Sequence, residues 1–284
     1  MIHPNRQKGF SLIELMVAAT IGLAFGSMAI SSLVNSRTSF ENRQANTYVV
    51  ENGRMALDEL TKVIRMAGYV DALSPGAEVP VAQVFTGPCG EFTQCTRDGG
   101  TGESDQIAVM LNPPPDDGTE TDCVGNALHT DAVVAARSVV AYLYLIAEFD
   151  GSEALGCQTY LVDADGVATE VNKTPELLVP GVESMQILYG KTNIQNTRDM
   201  DTQLSYYASA DVISALDPPE GGSTPWIDLA AVRVSLLVNA GTEETSQDLQ
   251  KKTYTLLDGP ELERSDRKLR QVFSNTVLIN NARH

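Results

Sequence analysis

Proline is missing between Pro4 and Pro75, so nothing in that interval forces a helix to stop. Histidine is scarce, with only His3, His129 and His284 in the chain. The four cysteines, Cys89, Cys95, Cys123 and Cys157, form no C-x-x-C pair, and a zinc site is poorly supported. G-x-S-x-G, P-loop, G-x-G-x-x-G and H-E-x-x-H patterns are absent, which removes the commonest hydrolase, nucleotide and metalloprotease chemistries. His129 precedes a modest apolar run and reads as a surface-loop residue, leaving no side chain to nominate for a catalytic triad. The chain is expected not to be an enzyme. Positive charge is also short: 20 Lys and Arg face 37 Asp and Glu, a net charge of −17. Such a surface disfavours nonspecific binding to nucleic acid or anionic lipid and suits a soluble, solvated exterior. Hydrophobic residues make up 43% and charged residues 20% of the chain, which argues against wholesale disorder.

What the chain does contain begins at its N-terminus. Arg6 and Lys8 precede Gly9, and an apolar run opens at Phe10. From there to Ser36 the one ionisable side chain is Glu14. A secretory signal carries its cleavage site after the apolar stretch, but here no small-x-small pattern leads into a polar mature start. Phe10 to Val34 would span about 38 Å as a helix, enough to cross a bilayer. Arg6 and Lys8 would stay in the cytoplasm. Ala18, Gly22 and Gly26 recur every four residues and put small side chains on one stripe, where another helix can approach closely. A carboxylate such as Glu14 costs roughly 2.5–3.5 kcal/mol near the membrane interior, so it calls for a partner. The local candidate is the amino group of Phe10, exposed if cleavage follows Gly9.

Past the apolar half the periodicity turns amphipathic. Val49, Gly53, Ala56, Leu60, Val63/Ile64 and Ala67 fall at spacings of three and four. Arg54, Asp58, Glu59, Lys62 and Arg65 take the other side, with Asp58–Lys62 as an i,i+4 pair. Gly68 is placed to cap the C-terminus. One helix from about Phe10 to Ala67 is predicted, half in lipid and half docked on a globular part.

The run Lys8-Gly9-Phe10-Ser11-Leu12-Ile13-Glu14-Leu15-Met16-Val17 resembles the N-terminus of type IV prepilins and pseudopilins. The resemblance implies that a dedicated peptidase cuts after Gly9, that Phe10 is then N-methylated, and that the apolar helix stays attached. It also implies that Glu14 pairs with the N-terminus of an adjoining subunit and so sets the register of assembly. Many major pilins carry a proline in the lipid half, which this chain lacks. The segments Glu51-Asn52-Gly53-Arg54-Met55-Ala56-Leu57-Asp58 and Ile64-Arg65-Met66-Ala67-Gly68-Tyr69 look like the signature of PilW-type minor pilins. Fainter echoes follow at Ser104-Asp105, from Val182-Glu183-Ser184 through Tyr189-Gly190, and from Trp226 through Val234. The J-type minor pseudopilins of type II secretion share much of this layout and are the competing identification. A membrane-anchored receptor domain that does not polymerise is a third reading, but it leaves Gly9-Phe10 together with Glu14 unexplained.

The resemblance implies residues 1–9 as a leader, 10–34 as the membrane and assembly half of the helix, 35–68 as its amphipathic half, and 69–284 as a periplasmic head. Losing Arg6 and Lys8 with the leader takes the net charge from −17 to −19. The implied life history runs from the bacterial inner membrane to an extracellular pilus. The implied partners are other minor pilins and the major pilin through the helix, with the peptidase transiently. No nucleic-acid binding is expected.

An exported head favours disulfides, and four cysteines allow three pairings. Proximity in sequence favours Cys89–Cys95 and Cys123–Cys157, worth about 2.4 and 3.8 kcal/mol in a chain-entropy account. Buried free thiols are the alternative. Beyond Gly68, apolar or alternating runs at Gln106–Leu111, Val139–Phe149, Cys157–Val162 and Ser184–Tyr189 read as strands, as do Ala230–Val238, Lys252–Leu257 and Gln271–Ile279. Turn chemistry separates them at 112–118, 150–151, 163–166, 218–222 and 258–260. A short helix is predicted over Tyr206–Leu216. The fold class is α+β, a long N-terminal helix whose lower half packs on an antiparallel sheet. Cofactors are not expected. Asp163-Ala-Asp165-Gly166 invites a calcium reading, but the acidic ligands that should continue an EF-hand loop are missing and a β-turn fits better. Asp199 and Asp201 are similarly ambiguous.

Overall fold

The computed structural model describes residues 10–69, 83–90, 92–100, 102–111, 121–128, 138–147, 152–163, 165–171, 174–192, 204–218, 224–227, 229–241 and 250–281. The chain divides into two compact units, Met1–Ala45 and Asn46–His284. Helix α1 (Leu12–Arg65) contributes to both.

In the first unit α1 is apolar and exposed from Leu12 to Val34. It contains a window of mean hydropathy 1.8, none of it buried, and is long and apolar enough to cross a membrane. Three hydroxyls in or just past this stretch bond back into the helix. Thr20 donates to the Val17 carbonyl at 2.9 Å and Ser27 to Ala24 at 2.8 Å, while Thr38 donates to Val34 at 3.1 Å. Such bonds suit a helix long and apolar enough to cross a membrane, where no water would satisfy a stray donor.

The second unit takes up α1 where its amphipathic pattern begins. Val49, Gly53, Ala56, Leu60, Val63, Ile64 and Ala67 are buried, whereas Arg54, Asp58, Lys62 and Arg65 are exposed, so the predicted stripe is the observed one. Lys62, however, pairs with Glu59 at 3.6 Å and not with Asp58. On an exposed face the i,i+3 and i,i+4 arrangements differ by only tenths of a kcal/mol, and rotamers decide between them. The helix closes through short bonds, Met66 N–H to Val63 O and Ala67 N–H to Ile64 O, both at 3.1 Å. Gly68 then takes φ +70 and donates its N–H to Met110 O at 2.9 Å, which ties the helix end to a strand.

Eleven strands follow among the described residues, where a single sheet was expected. The five-stranded sheet runs β1 (Ile107–Leu111), β2 (Ser138–Ala147), β3 (Glu153–Val162), β4 (Ala168–Glu170), with β5 (Glu176–Pro180) also on β3. The four-stranded sheet has the order β11 (Arg270–Leu278), β8 (Leu229–Asn239), β6 (Val182–Thr192), β7 (Leu204–Ala208). β9 (Gln250–Tyr254) and β10 (Leu262–Asp266) form a separate hairpin. Every pairing between these strands is antiparallel. β6 and β8 are buried along almost their whole length; β8 reads as a nearly continuous apolar run, whereas β6 also buries Ser184, Gln186, Lys191 and Thr192. One cluster joins Val49, Leu60 and Ile64 of α1 to Ile107 and Leu143 of the five-stranded sheet and to Ile187 and Leu236 of the four-stranded sheet. The predicted helix at Tyr206–Leu216 is half strand. Tyr206 and Tyr207 pair with Lys191 and Gly190 of β6, and only Ala210–Ser214 is helical (α2). Two adjacent tyrosines favour a pleated, half-buried edge, and an available partner strand decides the outcome. Arg233 lying 4.1 Å over the Tyr207 ring adds to that choice.

Candidate assembly site

The first turn of α1 carries the lone acid of its apolar stretch. Ser11 immediately precedes the helix, and its backbone N–H donates to Glu14 Oε2 at 3.1 Å. Ser11-Leu12-Ile13-Glu14 is the S-x-x-E pattern in which the third-turn-position acid reaches back to cap an orphan amide. That local duty follows from the spacing of Ser11 and Glu14 alone. It satisfies one lone pair of one oxygen, and the carboxylate is otherwise open on an exposed face. Phe10 is 89% exposed and stands directly beside this turn. Gly9, the leader, His3, His129, His284, Asp199, Asp201 and the 112–118 turn lie outside the described residues. Ala18, Gly22 and Gly26 are exposed, and a Cβ at either glycine would meet nothing within 4 Å, so the stripe is open.

In the head, Cys89 is bonded to Cys95 and Cys123 to Cys157, with Cα atoms 5.4 and 6.3 Å apart. The first closes a loop that lies in a cluster with Phe85, Tyr142 and Tyr160, and Phe92 packs edge-on to Tyr142 and Tyr144. The second ties the 121–128 segment to β3, where the Cys123 N–H also donates to Thr159 Oγ1 at 3.1 Å.

Two charged constellations had no signature in the sequence beyond the fragments around Ser104-Asp105 and Val182-Glu183-Ser184. Arg270, 7% exposed, donates from Nε and Nη2 to Glu183 at 2.6 and 2.9 Å and from Nη1 and Nη2 to Asp266 at 2.5 and 2.6 Å. Burial works against its charge, but these carboxylates outweigh it and hold its pKa above the usual value. The Arg270 hydrogen bonds in turn pull Asp266 down to about 2. Glu183 also accepts from Asn239 Nδ2 at 2.7 Å and pairs with Arg264 of β10 at 3.6 Å, so β6, β8, β10 and β11 meet at one carboxylate. The second is Asp105, whose carboxyl is pushed up to about 7 by burial. The amides of Gly99 and Ile187 oppose that rise, while Asp98 and Asp258 add to it.

Asp163 behaves as a turn residue. Its Oδ1 accepts the N–H groups of Asp165 and Val167, both at 2.9 Å, and Gly166 takes φ +80 between β3 and β4. Among the described residues no group of three His, Cys, Asp or Glu side chains is placed to hold a metal ion.

A capped, apolar, unburied helix thus continues into a β-sheet head, and two family models match this chain. The prokaryotic N-terminal methylation motif matches residues 4–30. The family described as type IV pilus-assembly protein W matches residues 143–281, a span that holds β3 to β11 and both Glu183 and Arg270. With both matches in hand, the chain is a PilW-like type IV pilin. A type IV-like pilin from Thermus thermophilus is similar in structure at 14% identity, over 83% of this chain and 98% of its own, with a TM-score of 0.43. No curated protein matches the sequence. The methylation motif and the apolar helix fit a pilin anchored in the inner membrane.

Proposed function

We propose that this chain is a minor pilin that primes assembly of a type IV pilus and occupies the filament tip, with no enzymatic role. The peptidase cuts between Gly9 and Phe10, Phe10 is methylated, and the head sits in the periplasm until the subunit is drawn into the filament. The helix then packs against other minor pilins and the major pilin, with Ala18, Gly22 and Gly26 as the close-approach stripe. The observation that carries this reading is Glu14. It is a lone carboxylate on an apolar, exposed helix face, with one hydrogen bond among the described residues. A charge left so poorly compensated in lipid is stabilised by the amino terminus of a neighbouring subunit, which gives assembly its register. The span matched to the pilus-assembly family supports a pilus subunit over a secretion pseudopilin.

Glu14→Ala tests the reading. Processing at Gly9 should proceed normally, while the amount of this chain in sheared filaments falls at least tenfold, measured by immunoblot. Normal incorporation of the variant would refute the assembly role.

A further inference from the structure

Two stretches of chain 82 residues apart are fastened through one buried carboxylate. Asp105 lies just before β1 of the five-stranded sheet and bonds β6 of the four-stranded one. Its N–H donates to Met185 O at 2.9 Å, and its Oδ2 accepts the Ile187 N–H at 2.6 Å. Its other oxygen, Oδ1, accepts the N–H of Gly99 at 2.8 Å. The segment is further held by Ser104 Oγ, which accepts the Met185 N–H at 3.1 Å, and by Glu103 O, which accepts from Gln186 Nε2 at 3.2 Å. On the Ile187 side the carboxylate grips β6, which is laddered to β8 at Ile187 and to β7 from Tyr189 onward. On the Gly99 side it grips a loop containing Gly100 and Gly102, both at positive φ with open space around them.

We propose that Asp105 is a proton-operated catch on β6: ionised, it pins Gly99 to that strand, and on taking a proton it lets Gly99 go. A carboxylate offers both oxygens as acceptors, whereas the neutral acid turns one of them into a donor that cannot accept an amide N–H well. β6 cannot move without breaking its ladders, so the bond that yields is the one to the glycine loop. The groups facing the catch do not neutralise it. Asp98 in the loop and Asp258 in the turn after β9 are acidic. The Tyr189 hydroxyl on β6 is fully buried without a hydrogen-bond partner, and Arg97 is turned to Gln106 and Glu103. Burial and these neighbours place the titration near 7, where both states are populated.

Hydrogen exchange on the full chain in detergent micelles between pH 5 and 9, corrected for intrinsic rates, reads the catch directly. Protection of the Gly99 amide should fall on the order of tenfold as the pH drops through 7, while β6 and β8 keep theirs. Asp258→Asn, which touches neither amide bond of the catch, should move that midpoint to lower pH. Asp105→Asn should abolish the transition. If that variant fails to fold, Asp258→Asn still decides. A flat profile, a midpoint unmoved by Asp258→Asn, or simultaneous loss of protection throughout the head would overturn the proposal.

Discussion

Arg270 and Asp105 are single residues with opposite effects on how the head responds to acid. Asp266, held down to about 2 by Arg270, binds fewer protons in the folded chain than in the unfolded one between that value and the ordinary 3.8. Its contribution to stability is therefore present above pH 4 and lost as the pH falls toward 2. Asp105, pushed up to about 7, binds more protons folded than unfolded between 3.8 and 7. Its contribution is fully present below about pH 4 and is lost as the pH rises through 7. Denaturant titrations of the full chain should show stability rising from about pH 2 to 4 and declining from about pH 4 to 7. Arg270→Ala should flatten the acid limb and cost about 3–5 kcal/mol at neutral pH, because it strands the buried Glu183. An unchanged acid limb in that variant would contradict the assignment. None of this was legible beforehand, since Arg270 and Glu183 lie 87 residues apart and nothing local in either segment announces the pairing.

At the scale of elements, α1 was the most legible part of the chain. Its buried face follows from a 3.6-residue period, its start from Ser11 and Glu14, and its end from Gly68. Seven strands were readable because each is an apolar or alternating run. The remaining four were not: β4 has three residues, β10 is largely charged, β5 carries a proline, and β7 overlaps the helix predicted over Tyr206–Leu216. Pairing partners, and not their own composition, make these segments extended. The division into three sheets depends on long-range contacts that no local pattern encodes. One contact within the second unit makes a sharp test. Gly53 on α1 lies flat against the Phe273 ring of β11, and a Cβ there would fall inside the ring's van der Waals envelope. Gly53→Ala should lower stability by about 1–2 kcal/mol net, overpacking being offset in part by alanine's better helix propensity. Thermal denaturation should register this as a Tm several degrees lower. A rise in Tm would mean that the ring has room to move and that the contact is not tight.

The whole molecule is defined by an unburied greasy helix on a disulfide-bonded, acidic head, and its candidate assembly residues sit in the first 26 positions. That part of the account was legible because membrane chemistry makes one acid in an apolar run conspicuous. The central claim is that this helix is retained after processing and carries the subunit into a filament. N-terminal sequencing with mass spectrometry of this chain from sheared, purified filaments tests it most directly. The account predicts that the chain is present in small amount and begins at N-methylated Phe10. A chain that begins anywhere else, or that stays in the membrane fraction and never enters filaments, would contradict it.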